Sequence, residues 1–198
     1  MKRTVLVPAL IIAAFVLTRW PGIMPPNFSL AYGLVFCAGA FPQRLPWWVV
    51  FGPLVATDVG LNVLYYQTAP FSDYQLVNYL AYASIYGLGR LFARQRAIWM
   101  HVAGGLVGAV LFYLITNTSA WLANPVYAKT LADWLRALTT GTNGWPETWT
   151  FFRNTLFSGG LFAGLISAAL QSVEAKEPEP EEEKEAEPAT EAAPEKAN

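Results

Sequence analysis

The chain has very few of the residues that metal and redox sites use. Cys37 is the single cysteine and His101 the single histidine in the 198-residue sequence. One cysteine excludes an intramolecular disulfide and a cysteine metal cluster, and a lone histidine without an HExxH pattern gives no ligand pair for zinc. No glycine-rich stretch precedes a Lys-Ser or Lys-Thr pair, so a P-loop for ATP is also lacking. We therefore expect no metal, no cofactor and no enzymatic activity.

Charge is scarce and unevenly placed. Charged residues make up 14% of the chain and hydrophobic residues 54%, whereas about a quarter of the residues of an average soluble domain are charged. Residues 174–198 contain ten Glu and three Lys, and residues 1–173 contain ten Lys or Arg against four Asp or Glu. The split predicts a membrane domain over 1–173 and a Glu- and Pro-rich, disordered tail over 174–198. The tail is either a solvated extension or a binding segment for a basic surface.

Six apolar stretches dominate the first region. They run over Thr4–Trp20, Phe28–Phe41, Trp47–Tyr66, Leu76–Leu91, Ile98–Leu122 and Phe151–Val173. A membrane-spanning helix needs about 20 mostly apolar residues. The pattern predicts an all-α, polytopic membrane bundle of about six transmembrane helices. The second and fourth stretches are short, so they must borrow flanking residues or lie where the bilayer is thin.

The first stretch also has the form of a cleaved signal peptide, because Lys2 and Arg3 precede an apolar run. Arg19, Trp20 and Pro21 follow that run, where a signal peptide would have a small-x-small cleavage site. We expect a retained first helix.

Positive charge predicts the orientation. If six helices span, one side receives Lys2, Arg3, Arg44, Arg90, Arg94 and Arg96. The other side receives Arg19, Lys129, Arg136 and Arg153, three of them in or beside the long loop, where charge has less influence on orientation. Cytoplasmic loops carry an excess of Lys and Arg. We therefore expect a multi-pass protein of the bacterial inner membrane with both termini cytoplasmic.

The stretch between the fifth and sixth apolar runs, "ANPVYAKTLADWLRALTTGTNGWPET", is too polar to span. Leu131, Trp134, Leu135 and Leu138 recur at helical spacing within it. The pattern predicts a short amphipathic helix that lies on the outer surface or caps the bundle.

Asp58 lies in the middle of the third apolar stretch, and residues 45–72 contain no other charge. Tracing the helices through the bilayer brings polar residues from all six segments to the outer side: Arg19, Asn27, Asp58, Asn62, Asn78, Asn117, Arg153 and Asn154. A carboxylate at membrane depth is costly unless it is paired, hydrated or protonated. We expect Asp58 to face an outward-opening polar cavity or to pair with Arg153 or Arg19.

The polar cluster has two interpretations. It is either a substrate pocket for a small zwitterionic or anionic solute, closed by Trp121, Lys129 and Tyr127, or a structural network that ties the helices together. Intramembrane ionisable residues favour the first interpretation. Ala9 and Ala13 lie four residues apart on the first helix, and such small-residue spacing allows close helix contact within the bundle or with a partner subunit.

Several segments together resemble a known family. "RWPGIMPPNFSLAYGLVFCAGAF", "GPLVATDVGLNVLYY", "ASIYGLGRLFAR", "FYLITNTSAWL", "YAKTLADWLRAL" and "FFRNTLFSGGLF" follow one another in this order. They resemble an uncharacterised family of small bacterial membrane proteins described as candidate transport proteins. In size and topology that family is similar to the substrate-binding S components of energy-coupling-factor vitamin transporters.

The resemblance implies six helices, both ends cytoplasmic, a substrate pocket in the outer half, and docking through Ala9 and Ala13 onto a transmembrane coupling subunit that works with ATPase subunits. The long outer loop departs from the S-component pattern, and no vitamin-specific motif is present, so the resemblance implies no substrate. The expected function is a solute-binding subunit of a transporter, with the lipid bilayer, a solute and coupling subunits as partners and no nucleic acid. The alternative is a non-transporting structural subunit of a larger membrane assembly.

Overall fold

The computed structural model describes residues 3–174, and within them the named secondary-structure elements are all α-helices. The helices are α1 (Arg3–Thr18), α2 (Leu30–Ala40), α3 (Trp47–Leu64), α4 (Asp73–Leu91), α5 (Ile98–Ala123), α6 (Leu131–Leu138) and α7 (Thr148–Glu174). The six predicted apolar segments correspond to α1 to α5 and α7, and the predicted amphipathic helix corresponds to α6. The predicted tail lies outside the described residues from position 175 onward.

Helix α2 is the centre of the bundle. All eleven of its residues are buried, and it contacts α1, α3, α4, α5 and α7. Ser29 begins the helix, because its hydroxyl accepts a hydrogen bond from the Ala31 amide at 3.1 Å. A helix that is apolar on every face is buried on every face, and α2 therefore fixes the positions of its neighbours.

Glycine allows α2 and α4 to touch through their backbones. A Cβ atom at Gly89 would lie 2.1 Å from the Phe36 carbonyl oxygen, and one at Gly39 would lie 2.2 Å from the Tyr86 carbonyl oxygen. Small residues permit this closeness in membrane helices. The two helices consequently form a seam in which no larger side chain fits.

A second glycine seam joins α5 and α7. A Cβ at Gly105 would lie 2.4 Å from the Gly159 carbonyl oxygen, and one at Gly164 would lie 2.8 Å from the Val102 side chain. Residues nearer the N-terminus of α5 thus contact residues nearer the C-terminus of α7, so the two helices are antiparallel.

The bundle has two distinct ends. The end that carries Arg44, Arg90, Arg94 and Arg96 is called the arginine end; α2, α4 and α7 finish there and α3 and α5 begin there. The opposite end is called the loop end, and it carries residues 19–29, 65–72 and 124–147. This alternation agrees with the predicted grouping of those four arginines on one side.

Three of the described helices are long and apolar enough to cross a membrane: Trp47–Leu64, Ile98–Ala123 and Thr148–Val173. Val5–Thr18 and Leu30–Ala40 are apolar but shorter. At 1.5 Å per residue, α2 covers about 16 Å, roughly half of a hydrocarbon core. Membrane character is thus supported by three helices, and membrane crossing by α1, α2 and α4 stays a prediction.

Helix α6 packs on α5 and α7. Thr130 begins it by accepting a hydrogen bond from the Asp133 amide, and the Trp134 indole donates to the Thr118 hydroxyl at 3.0 Å. Leu131 and Leu135 remain exposed. Part of the predicted apolar stripe therefore faces the bundle and part faces outward.

Candidate functional site

An ion pair at the loop end joins Arg19, the first residue after α1, to Asp58 on α3. The Arg19 guanidinium donates to the Asp58 carboxylate, and the two side chains are 21% and 12% exposed. The guanidinium also lies over the Phe15 ring, 5.9 Å from its centroid. Of the two partners expected for Asp58, the structure has Arg19.

The α1–α2 loop, residues 19–29, is shaped by residues that restrict or relax the backbone. Pro21 follows the end of α1, where a missing amide and a fixed φ terminate a helix. Gly22 and Asn27 then take left-handed conformations, with φ of 89° and 60°, which these two residue types tolerate best. The loop consequently folds back over the end of the bundle.

A cavity of about 470 Å³, called cavity 1, lies beneath this loop. Asn27 and the adjoining prolines form its exposed rim, whereas Tyr32 and Tyr82, 5% and 6% exposed, form its floor. Arg19 contributes the positive charge of its lining. The volume falls in the range of small-molecule sites, roughly 300 to 1,000 Å³.

A smaller space of about 220 Å³, called cavity 2, lies between α4, α5 and α7. Its described lining is uncharged and consists of Asn27, Tyr74, Phe112, Tyr113, Thr116, Asn117, Thr148, Phe151 and Thr155. Thr116 and Thr155 lie at its buried side, 4% and 1% exposed, and Tyr74 is half exposed at its rim.

The two cavities are neighbours. Asn27 lines both of them. The Phe112 ring of cavity 2 lies 4.9 Å from the Tyr32 ring and 5.0 Å from the Tyr82 ring of cavity 1. One aromatic wall, with Asn27 at its outer edge, therefore separates a charged space from an uncharged one.

Three of the predicted site residues bond elsewhere in the chain. Asn62 donates to the Pro70 carbonyl at 3.2 Å, within the α3–α4 connection. Lys129 donates to the Trp121 carbonyl at 2.6 Å, and the Trp121 indole donates to the Ala128 carbonyl at 3.2 Å. Lys129 and Trp121 thus close the C-terminal end of α5, and neither belongs to the lining of the two cavities.

Arg153 and Asn154 also lie outside both linings. Arg153 is exposed and its guanidinium lies over the Trp149 ring, 5.6 Å from the centroid. Asn154 donates to the Pro26 carbonyl at 2.9 Å, so it fastens the rim of cavity 1 to α7. Arg19, Asn27 and Asn117 are the predicted residues that line a cavity.

Sequence reasoning missed the buried hydroxyls, because single Tyr or Thr residues in apolar helices have the pattern of core residues. A signal was nevertheless present in α5. Phe112, Tyr113, Thr116 and Asn117 repeat at intervals of one, three and four residues, which places aromatic and polar groups on one helix face.

Helix α1 presents a different surface. Ala9 and Ala13 are both exposed on it, and their role in docking stays a prediction. Within residues 3–174 no group of three or more His, Cys, Asp or Glu side chains is placed to hold a metal ion. His101 is fully buried, with its ring 5.1 Å from that of Phe41.

The comparisons with known proteins give a family and no function. Neither the curated proteins nor the solved structures include a significant match to the chain. Residues 1–181 match the family described as "Family of unknown function (DUF6580)", and the chain therefore belongs to that family.

Proposed function

We propose that this chain is a solute-binding integral membrane subunit of a transporter, with its binding site in cavity 1 at the loop end. The observation that carries the proposal is the cavity itself, about 470 Å³ with a guanidinium and nearly buried phenol groups in its lining. Concave sites with a few convergent polar groups are the usual form of small-molecule sites. The solute class that fits is small and polar, with a carboxylate or another acceptor for Arg19.

The membrane arrangement is part of the same proposal. The α1, α2 and α4 helices cross together with the three long apolar helices, giving six spans in the manner of an S component. The loop end then faces outward, and the arginine end faces the cytoplasm of a bacterial inner membrane, as expected from the four arginines there. A solute would enter cavity 1 from outside.

Energy coupling would belong to other subunits. The exposed Ala9 and Ala13 give α1 a narrow surface on which a transmembrane coupling subunit fits closely. ATPase subunits would act through that partner.

A second function is favoured by one specific observation. Arg19 and Asp58 bind each other, and Asn62, Lys129 and Asn154 also donate hydrogen bonds to other groups of this chain. Such bonds suit a structural subunit whose polar groups hold helices together. The two proposals differ in whether cavity 1 takes up a solute.

Thermal unfolding of the purified protein in detergent distinguishes them. The panel contains small carboxylates, amino acids, vitamins and inorganic anions, because a ligand that binds the folded state stabilises it by mass action. We expect at least one solute to raise the midpoint, by an amount equivalent to about 2.7 kcal/mol at a concentration 100 times its dissociation constant.

The double variant Arg19→Met, Asp58→Leu removes the ion pair without leaving a lone charge, and we expect it to abolish that shift while the protein remains folded. Arg153→Gln is the matched control, since Arg153 is an exposed cation outside both linings. A broad panel without any shift, together with lost stability in Asp58→Ala, would favour the structural subunit.

A further inference from the structure

Two hydroxyl groups at the buried side of cavity 2 have already committed their protons. Thr116 donates to the Phe112 carbonyl at 2.9 Å, and Thr155 donates to the Phe151 carbonyl at 3.0 Å. A hydroxyl has one proton and two lone pairs. Thr116 can therefore offer cavity 2 hydrogen-bond acceptors, and Thr155 can offer the acceptor capacity that its contact with the Tyr32 hydroxyl leaves.

Two further groups in this lining also donate to carbonyls of the chain and keep acceptor capacity. The Tyr113 hydroxyl donates to the Leu138 carbonyl, which leaves its lone pairs. The Asn117 side-chain amide donates to the Tyr113 carbonyl at 2.9 Å, which leaves its carbonyl oxygen and one N–H. Cavity 2 is consequently rich in acceptors, and its described lining has no charged residue.

Cavity 1 differs from cavity 2 because its lining includes a charged donor. The Arg19 guanidinium carries five N–H donors and no acceptor, and Asp58 occupies part of that set. Ser29 accepts from the Ala31 amide at 3.1 Å, so its hydroxyl proton remains available. Cavity 1 therefore offers a cationic donor on one side of the shared aromatic wall, and cavity 2 offers acceptors and no cation in its described lining on the other.

The rings of cavity 2 favour the same polarity of ligand. Phe112 and Phe151 belong to its lining, and the face of an aromatic ring carries negative charge density that attracts ammonium groups. A carboxylate would find no cation in the described lining of cavity 2 to pair with. An N–H donor would meet acceptors.

We propose that cavity 2 is a subsite for the N–H end, amine or amide, of a dipolar solute whose carboxylate lies toward Arg19 in cavity 1. The inference rests on the proposed function, since it assigns a direction to the solute of that site. Asn27, which lines both cavities, lies where the two halves of the solute meet.

Calorimetric titration of the full-length protein tests this with ω-amino carboxylic acids of increasing chain length. Each is compared with the plain carboxylate of equal length and with its N-acetyl form. At the best length, we expect the amino acid or its N-acetyl form to bind about tenfold more tightly than the plain carboxylate, as for hydrogen bonds with a charged partner. Whichever of the two binds better identifies the donor as ammonium or amide.

Thr116→Val and Thr155→Val should each weaken binding of the preferred N–H ligand about fivefold and leave the plain carboxylate unaffected. Thr116→Ser, which keeps the hydroxyl, should retain the affinity. Thr57→Val is the matched control, because Thr57 donates to the Pro53 carbonyl at 2.8 Å and lines neither cavity.

The two proposals fail in different ways. Equal affinity of the plain carboxylate and the N–H ligands, or unchanged N–H ligand affinity in both valine variants, would overturn the N–H subsite and leave solute binding intact. If no probe bound at any length, the proposed function would fail, and the subsite with it.

Discussion

The arginine end and the loop end of the bundle are built on opposite principles. At the arginine end, α2 and α4 approach until the Gly89 position has no room for a methyl group, and His101 is packed among aromatic rings. At the loop end, the helices separate around two cavities lined by hydroxyls, amides and one guanidinium.

The two ends therefore contribute to different properties, the arginine end to stability and the loop end to recognition of a solute. Dense packing leaves no space for a ligand and makes volume changes costly. Polar cavities weaken the packing but offer groups that a solute can contact. Variants at the arginine end should therefore change unfolding, and variants at the loop end should change binding more than unfolding.

The largest expected effect is that of Gly89→Ala at the arginine end. The new methyl group would meet the Phe36 backbone at 2.1 Å, and backbone cannot move aside without separating α2 from α4. We expect a loss of about 3 kcal/mol or more in the free energy of unfolding, at the upper end of overpacking costs. Denaturant titration in mixed micelles measures it.

Gly87→Ala on the same helix is the control, because no atom lies within 4 Å of its Cβ position. A helical Gly→Ala change without a clash stabilises by roughly 0.5 to 1 kcal/mol. Equal effects of the two substitutions would show that the seam is looser than the structure indicates.

The next effect is that of Asp58→Asn, which leaves the Arg19 charge without its partner at the loop end. Removal of one member of a buried pair costs about 3 to 5 kcal/mol, and partial exposure of this pair should reduce the loss to about 2 kcal/mol. Asp133→Asn breaks the more exposed pair with Arg136, 3.2 Å apart, and should cost less than about 1 kcal/mol. The expectation fails if Asp133→Asn proves the more damaging change in thermal unfolding.

A smaller effect on unfolding than that of Asp58→Asn is expected for Asn154→Ala, which removes the bond to the Pro26 carbonyl. One hydrogen bond contributes about 1 kcal/mol, but this one fastens the rim of cavity 1. We therefore expect the affinity of a cavity 1 ligand to fall severalfold, although the loss of stability is small. Arg153→Ala, one residue away and exposed, should leave the affinity unchanged; an equal fall there would contradict a rim effect.

Much of the secondary structure could be predicted from the sequence. The apolar runs predicted the helices that became α1 to α5 and α7, and helical spacing from Leu131 to Leu138 predicted α6. Local rules suffice for this, because hydrophobic periodicity and turn residues act over a few positions. Predicted boundaries differ from the observed ones by a few residues at most.

The site was less predictable. Placement by depth left Arg153 and Arg19 as alternative partners of Asp58, and the structure pairs Asp58 with Arg19, whereas Arg153 is exposed. Depth follows from counting residues along a helix, but the direction of a side chain depends on which face neighbouring helices cover. Lys129 and Asn62 likewise lie at the predicted end, yet their bonds are local.

By itself, the sequence determined that the chain forms apolar helices, that Arg44, Arg90, Arg94 and Arg96 group at one end, and that uncharged polar groups gather with Asp58 at the other. Tertiary structure decided that Tyr32, Thr116 and Thr155 would line cavities and that Asp58 would pair with Arg19. The physical reason is that composition and periodicity are local properties, whereas a cavity exists where several helices fail to meet, and that depends on how every helix packs on α2.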